Sequence, residues 1–208
     1  MRLFVVTHCQ ATHHVEGRVG GWLDSALTGL GLRHAKALGE RLRAALTGTE
    51  RLPQVFSSDL RRAQETAAPI AAAIGTDVRL RRELREMGCG VAEGEPHAWV
   101  REHGRPLPRS GGLLNYRLCE GAESRLDVAE RLYPFVDELI ERAEPETVVV
   151  THGGAHDILI GAWLGLSMAQ LGTCRFRTVP GSVTELALDP HDGMRVIERL
   201  ADDTHLRS

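Results

Sequence analysis

The 208-residue sequence predicts an α/β protein, a three-layer αβα sandwich built on a mostly parallel sheet. Two β-branched runs, residues 3–7 and 148–151, have the composition of buried parallel strands. Segments with helical periodicity lie between the predicted strands, and this alternation is typical of the fold class. The length suits one large core, so we expect residues 1–208 to form a single domain.

Four helices are predicted from apolar residues that recur at steps of three and four. The first follows Thr28, which is a suitable N-cap residue. A short strand at residues 54–57 comes next, and Ser58 or Asp59 is expected to cap the second helix. The other two helices cover residues 126–139 and 153–164.

Two regions depart from this alternation. Residues 182–188 and 194–200 alternate like strands around a turn, which predicts a hairpin at the edge of the sheet. Between about residues 94 and 124 the periodicity fades while Gly and Pro accumulate, so we expect an irregular segment that covers the site. Substrate contact and simple packing on the body are equally good interpretations of its larger apolar residues, Trp99, Leu113, Leu114 and Tyr116.

Charge and cysteine content exclude several classes of protein. With 25 basic and 28 acidic residues the net charge is -3, which favours neither nucleic acid nor a membrane surface as a partner. No apolar run approaches the roughly 18 to 20 residues that cross a bilayer, and the first strand starts without a secretory signal. These observations predict a cytoplasmic protein. The cysteines form no C-x-x-C pair and are interpreted as free thiols: Cys9, Cys89, Cys119 and Cys174.

The strongest functional indication is a pair of histidines, His8 and His152, that directly follow the two buried strands. In an open parallel sheet, ligands bind just beyond the carboxyl ends of the strands, so both rings should face one crevice. An arginine and a glutamate supplied from the intervening chain would complete a site for phosphoryl transfer with a histidine nucleophile.

Four sets of residues, in the same order as in a known family, carry a resemblance that spans nearly the whole chain. They are Val6–Thr12 with Gly17–Thr28, Ser57–Ala67, Leu84–Glu86 with Gly90 and Glu93–Gly94, and Thr151–Gly154. The sequence thereby resembles the histidine phosphatase superfamily, in its phosphoglycerate mutase-like branch.

The resemblance implies that His8 is the nucleophile, Arg62 a phosphate clamp, Glu86 the proton donor and His152 a second phosphate ligand. A guanidinium presents a fixed fork of donors that matches phosphate, and a neutral imidazole attacks a dianion more readily than an anion would. Glu86 would protonate the leaving alcohol and then activate water against phosphorylated His8. This chemistry requires no metal and no other cofactor.

The chain departs from the family at Thr7, because the family ordinarily has Arg-His-Gly where this sequence has Thr-His-Cys. A charge-assisted hydrogen bond is worth about 1.5 to 3 kcal/mol, so the loss corresponds to roughly tenfold to a hundredfold in affinity or rate. A protonated His14, or Arg18, is a candidate to restore the positive charge. Thr7 itself, Gly20 and Gly153 are further candidates for phosphate contact.

Competing interpretations apply to several neighbours of these residues. Arg61 is expected to be a solvated charge on the helix surface, and Glu83 competes with Glu86 for the acid role. His13 and His97 are interpreted as surface or loop histidines. A metal site at His152 and His156, with Asp157 beside them, is a weaker hypothesis, because the glycine pair between the histidines suits an anion better than a cation.

The leading function is therefore a metal-independent phosphatase that acts on a small phosphomonoester such as a sugar or nucleotide phosphate. One alternative is a phosphoglycerate mutase-type phosphomutase, although family mutases are usually longer and more basic around the acid. The other is a non-catalytic member that binds a phosphate ligand, which Thr7 motivates. The expected partner is a small phosphate ester, and the sequence leaves monomer and homodimer open.

Overall fold

The computed structural model describes residues 1–46, 51–108 and 112–206. Helices and strands alternate through most of this length. In chain order the elements are β1 (Arg2–Thr7), α1 (Thr12–Val15), α2 (Gly29–Ala45), β2 (Gln54–Ser57), α3 (Arg61–Ile74), β3 (Val78–Leu80), α4 (His97–His103), α5 (Arg125–Arg142), β4 (Glu146–Thr151), α6 (Gly153–Trp163), α7 (Met168–Leu171), β5 (Val183–Leu188) and β6 (Arg195–Asp202).

The six strands form one sheet in the order β3-β2-β4-β1-β5-β6. The first four of these are parallel to one another, whereas β5 pairs antiparallel with β1 and β6 pairs antiparallel with β5. This confirms the mostly parallel sheet and the edge hairpin. The register of β1 with β4 ends at the pair Thr7 and Thr151. His8 and His152 therefore leave neighbouring strands at the same level of the sheet.

Side chains of β1 alternate between two apolar clusters, one on each face of the sheet. Leu3 and Val5 belong to a cluster formed with α5 and α6, while Phe4 and Val6 belong to a cluster formed with α2 and α3. All four are at most 2% exposed. Full burial of such a side chain contributes about 1.5 to 3 kcal/mol, so this double-sided burial is what fixes the three-layer sandwich.

The four predicted helices correspond to α2, α3, α5 and α6. Thr28 caps α2, since its hydroxyl accepts a hydrogen bond from the Gly31 amide at 3.0 Å.

The predicted cap of α3 by Ser58 or Asp59 is wrong. The N-cap residue is Leu60, which has no side chain able to accept a hydrogen bond. The Ser58 hydroxyl lies 2.8 Å from His152 Nε2, and the Asp59 carboxylate pairs with Arg85 at 2.6 Å. Both polar side chains thus have partners outside the first turn of α3.

The segment from residue 94 to 124 is more regular than the sequence predicts, because it contains α4. Residues 109–111 of this segment lie outside the described residues. Trp99 stacks on His103 with the ring centroids 4.6 Å apart, and it packs with Val100 against a small apolar cluster. Leu114 packs against the larger core cluster. Packing on the body therefore accounts for both residues.

The described cysteines are all free thiols, as predicted. Within the described ranges, no helix combines the length and apolar character needed to traverse a bilayer.

Candidate active site

A cavity of about 430 Å³ lies beyond the carboxyl ends of β1 and β4. Its walls come from the end of β1, the first turn of α3, the start of α6 and the loops between them. Most of the predicted site residues line it, namely Thr7, His8, His14, Gly20, Arg62, Glu86 and Gly153.

The His8 ring is oriented by hydrogen bonds at both of its nitrogens. Its Nδ1 lies 2.8 Å from the Cys9 carbonyl oxygen, and because a carbonyl only accepts, Nδ1 carries the proton. The lone pair is therefore on Nε2, which accepts a hydrogen bond from Arg62 Nε at 3.2 Å. Burial, reinforced by the charge of Arg62, lowers the pKa of His8 well below its ordinary value. The ring is a neutral imidazole whose Nε2 lone pair is held by the hydrogen bond from Arg62.

Arg62 is 1% exposed, yet its guanidinium lines the cavity. Two backbone carbonyls hold the fork, Leu23 O at 2.7 Å from Nη1 and Gly21 O at 2.7 Å from Nη2. Gly21 has φ of +48°, and a Cβ there would lie 2.9 Å from the Cβ of Cys89. The loop that positions the guanidinium therefore requires glycine at position 21.

His152 lies directly beside His8, with ring centroids 5.0 Å apart and an interplanar angle of 60°. Its Nε2 is 2.8 Å from the Ser58 hydroxyl, while Nδ1 is buried with no hydrogen-bond partner among the described residues. Burial is the main cause that lowers the pKa of His152 well below its ordinary value, followed by the charge of Arg62. The ring is fully buried and does not line the cavity itself.

Glu86 occupies the amino end of α6. Its Oε1 accepts from the amides of Met87 at 2.7 Å and Ala155 at 3.1 Å, and its Oε2 accepts from Gly154 at 3.0 Å. A Cβ on Gly154 would lie 2.5 Å from Oε1, so this approach depends on glycine. The unpaired amides at a helix start bind anions, and here the carboxylate takes that position.

The backbone of Glu86 is held by two residues that the sequence does not single out for this role. Arg131, on α5, donates to the Glu86 carbonyl at 2.9 Å and to the Arg85 carbonyl at 2.8 Å. Trp22 Nε1 donates to the same Glu86 carbonyl at 2.7 Å. Arg131 is itself paired with Glu123 at 3.0 Å. Arg131 resembles any other helix arginine in the sequence, so no signal could have identified it.

Thr7 stands where the family that the sequence resembles ordinarily has arginine, and its hydroxyl belongs to a chain of three hydroxyl groups. Thr7 Oγ1 lies 2.8 Å from Thr178 Oγ1, which lies 2.6 Å from Ser182 Oγ. Thr7 and Thr178 both line the cavity. Thr178 precedes β5 at the opposite end of the sequence, and no motif there marks it as a site residue.

His13 and His14 extend the cluster of rings around His8. His14 stacks on His8 with centroids 5.4 Å apart, and His13 lies 4.1 Å from His14. His13 is buried, so its interpretation as a surface or loop histidine is wrong; its Nδ1 contacts Ser25 Oγ at 2.7 Å and its ring packs under Gly20. Gly20 provides the room, since a Cβ there would lie 2.8 Å from His13 Nε2.

The rings of His13 and His14 are both neutral in the free protein. Burial lowers the pKa of His13 to about 3. His14 is exposed at the mouth, but burial of its packed part, followed by the charge of Arg62, lowers its pKa as well. A protonated His14 is therefore not the source of positive charge before an anion binds.

Arg18 lies outside the cavity lining. Its side chain is 47% exposed, donates to the Gly94 carbonyl at 2.7 Å and approaches Glu16 at 3.5 Å. This arginine joins its loop to the start of the covering segment instead of facing His8. The other surface candidates behave as expected, since Arg61 pairs with Glu65 on the helix surface and Glu83 pairs with Arg81.

One group of side chains in the described part of the chain has ligand atoms close enough for a metal, His8 with His13 and His14, within 4.8 Å of one another. One nitrogen of each ring is bonded to a backbone or hydroxyl group, and Arg62 donates to the other nitrogen of His8. A cation would meet this fixed positive charge, so the cluster suits an anion better. His156 bonds Thr184 through Nε2 instead of joining His152 as a ligand pair.

Two thiols, Cys9 and Cys89, lie near His8. Cys89 lines the cavity and Cys9 follows His8, and burial raises the pKa of each to about 12. Neither is a thiolate at neutral pH, so neither has the reactive form of cysteine.

Comparison with known proteins identifies the family of the chain. Residues 3–203 match the model of the histidine phosphatase superfamily (branch 1). The chain belongs to this superfamily.

Several relatives cover most of the chain. A protein of Mycobacterium tuberculosis strain H37Rv, named glucosyl-3-phosphoglycerate phosphatase, is 35% identical over 184 residues, which cover 81% of this chain and 78% of that protein. A Yersinia pestis protein named probable phosphoglycerate mutase GpmB is 29% identical over 210 residues, covering 99% of this chain and 95% of its own. A solved structure of a mycobacterial glucosyl-3-phosphoglycerate phosphatase with VO3 superposes with a TM-score of 0.80 at 29% identity, covering 96% of this chain and 98% of that one.

Proposed function

We propose that His8 is the nucleophile of a metal-independent phosphatase and forms a phosphohistidine intermediate. The family match and the names of the relatives support a phosphatase of a small phosphoester. The roles of the individual side chains are our proposal. The observation that carries it is the His8 ring, whose proton is on Nδ1 and whose Nε2 faces the buried guanidinium of Arg62. A phosphoryl group that binds the guanidinium would replace His8 Nε2 as the acceptor of the Arg62 Nε hydrogen bond, which leaves the lone pair free to attack phosphorus.

Charge stabilisation in the first step is assigned to Arg62 and to the neutral donors around His8. The unpaired, buried Nδ1 of His152 gives that ring one uncommitted nitrogen beside the nucleophile. Thr7 and Thr178 supply hydroxyls where the usual arginine is missing. Approach of a phosphate dianion would raise the pKa of His14, so this ring gains a proton together with the substrate.

Glu86 is assigned the proton transfers, and its position suggests how it becomes available. In the free protein both carboxylate oxygens accept from backbone amides at the start of α6. Phosphoryl oxygens that take over the amides of Gly154 and Ala155 would release the carboxyl toward the leaving oxygen. Glu86 takes up a proton as the phosphate dianion binds beside it, because two adjacent negative charges favour protonation of one of them. It gives this proton to the alcohol oxygen in the first step, and the resulting carboxylate accepts a proton from water in the second.

The substrate class we propose is a small phosphorylated metabolite such as a sugar or nucleotide phosphate. Derivatives of phosphoglycerate enter the panel first, because the relatives named glucosyl-3-phosphoglycerate phosphatase reach 35% identity. Phosphoglycerate mutase activity is the second candidate, supported by the relatives named probable phosphoglycerate mutase that align over 99% of the chain. A cytoplasmic location and the single domain stay predictions from the sequence.

The test combines turnover with trapping of the intermediate. Phosphate release is measured over a panel of phosphorylated metabolites for the wild type and for His8→Ala, which we expect to lose at least about a thousandfold in kcat/KM. Brief incubation with a labelled substrate should leave acid-labile, base-stable label on the wild type and none on the variant.

Three results would contradict parts of this assignment. Full activity of His8→Ala would exclude His8 as the nucleophile. Isomerisation of phosphoglycerate faster than phosphate release would favour the mutase. No release and no label across the panel would indicate a protein that only binds phosphate esters.

A further inference from the structure

A second cavity of about 400 Å³ adjoins the phosphate cavity. The two share four lining residues, Met87, Gly153, Gly154 and Thr178. A ligand whose phosphoryl group lies beside His8 therefore has continuous space past the start of α6 for its alcohol portion.

A buried ion pair forms the base of this second cavity. Arg125, on α5, pairs with Asp157, on α6, and their side chains are 8% and 9% exposed. Arg125 also donates to the carbonyls of Leu171 at 3.0 Å and Cys174 at 3.2 Å, while the other oxygen of Asp157 accepts from the Phe176 amide at 2.7 Å. The pair thereby fixes the chain between α7 and β5, which carries the outer wall.

The outer wall presents positive charge that nothing in the described part of the chain neutralises. Arg175 and Arg177 line the cavity and are exposed, and neither forms a hydrogen bond or ion pair with any residue of the described ranges. The sole carboxylate of the described lining, Asp157, is already committed to Arg125 and Phe176. This positive excess stands out in a chain whose net charge is -3.

We propose that this second cavity is an anion subsite that binds a carboxylate or a second phosphate on the alcohol portion of the substrate. Arg175 and Arg177 are its cationic residues, and the apolar faces of Leu113, Tyr116 and Phe176 contact the carbon skeleton. The inference rests on the proposed function, because it takes His8 as the site of phosphoryl transfer. It narrows the substrate class to phosphomonoesters that carry a second negative group.

The charged residues of this subsite lie outside the segment that the sequence indicates as the specificity region. The sequence points to residues 94–124, of which Leu107, Leu113 and Tyr116 line this cavity. The charged residues come instead from the segment before β5, and the Arg125–Asp157 pair holds that segment in place.

Two matched pairs of substrates test the subsite. 3-Phosphoglycerate has a carboxylate where glycerol 3-phosphate has a hydroxymethyl group, and 6-phosphogluconate differs from glucitol 6-phosphate in the same way with a longer reach. For at least one pair, the wild type should show kcat/KM about tenfold higher for the acidic member, the size expected of one charge-assisted hydrogen bond. In the double variant Arg175→Gln with Arg177→Gln this ratio should fall to within about twofold of one.

Arg43→Gln is the matched control, since Arg43 is exposed on α2 and lines neither cavity. It should leave the ratio unchanged. A wild-type ratio near one for both pairs, or a ratio that the double variant does not alter, would overturn the subsite. The same four compounds are titrated into His8→Ala by calorimetry. This variant does not turn them over, so the dissociation constants give the preference for the acidic member directly. Absence of turnover by the wild type therefore counts against His8 as the nucleophile. Absence of a binding preference for the acidic compounds counts against the arginines.

Discussion

The two adjoining cavities differ in how the fold holds their functional groups. Around His8 the groups extend from strand ends and helix starts, and His8, Arg62 and His152 are each at most 4% exposed. In the anion subsite the cationic groups are exposed arginines on a connecting segment, and only their backbone is fixed. Bond formation requires atoms placed within fractions of an ångström, whereas selection of a charged group tolerates mobile side chains.

The electrostatics of the two regions differ in the same direction. Beside His8, burial and the guanidinium of Arg62 keep the imidazoles neutral, so the proposed nucleophile is uncharged before substrate binds. The subsite instead displays unpaired positive charge that a ligand must complete. Substitutions in the first region should therefore lower kcat, and substitutions in the second should change the choice of substrate.

The largest loss after that of His8 is expected for Glu86→Gln, which cannot donate or accept the proton of the leaving group. We expect kcat to fall roughly a hundredfold to ten-thousandfold on an alkyl phosphate, as is usual for loss of general acid–base catalysis. p-Nitrophenyl phosphate, whose leaving group needs no proton, should show a much smaller loss. Glu83→Gln is the control, because Glu83 pairs with Arg81 and does not line the cavity. Equal losses on both substrates would remove Glu86 from the acid role.

Arg131→Gln tests whether the position of Glu86 depends on its support from α5. The variant withdraws donors from the Glu86 and Arg85 carbonyls, and we expect kcat to fall about tenfold with little change in KM. Arg142→Gln, on the same helix and paired with Glu138 at the surface, should have no such effect. If Arg131 acts through Glu86, then Arg131→Gln should add little to the Glu86→Gln variant. Additive losses would contradict this.

A smaller effect is expected for Thr7→Val, which removes the hydroxyl that bonds Thr178. A neutral hydrogen bond contributes about 0.5 to 1.5 kcal/mol, so the inhibition constant of inorganic phosphate should rise roughly twofold to tenfold. Thr147→Val on β4 is the control, since its buried hydroxyl has no partner among the described residues. An unchanged constant in Thr7→Val would mean that the hydroxyl chain fills space without binding phosphate.

The sequence was most informative where local pattern determines structure. Val-rich runs predict the parallel strands, and the placement of His8 and His152 after them follows from strand direction alone. Arg62 and Arg61 are adjacent, yet one is buried and the other exposed, and only the resemblance to the family distinguishes them in advance.

The remaining features depend on contacts between distant segments. Thr178 meets Thr7 across 171 positions of sequence, and Arg131 reaches Glu86 across 45. The cap of α3 is mispredicted for the same reason, since Ser58 and Asp59 are recruited by His152 and Arg85. Side chains with several available partners cannot be assigned until the tertiary fold selects one of them.

The smallest expected effect concerns stability and follows from the neutral imidazoles of the more buried region. A histidine whose pKa is lower in the folded state than its unfolded value near 6.5 favours folding above that pH, and the advantage is lost as the pH falls below it. Burial lowers the pKa of His156 to about 4, and that of His13 to about 3. The free energy of unfolding should therefore decrease between pH 7.5 and pH 5, because the unfolded chain takes up more protons.

His156→Gln isolates one part of this dependence away from the reacting atoms. His156 is fully buried on α6 and bonds Thr184, so its removal should reduce the loss of stability between pH 7.5 and pH 5 by about 1 to 2 kcal/mol. Urea unfolding at the two pH values measures this difference, and His191→Gln, in the exposed turn before β6, should keep the wild-type dependence. A slope that His156→Gln leaves unchanged would show that the buried ring of His156 does not couple stability to pH.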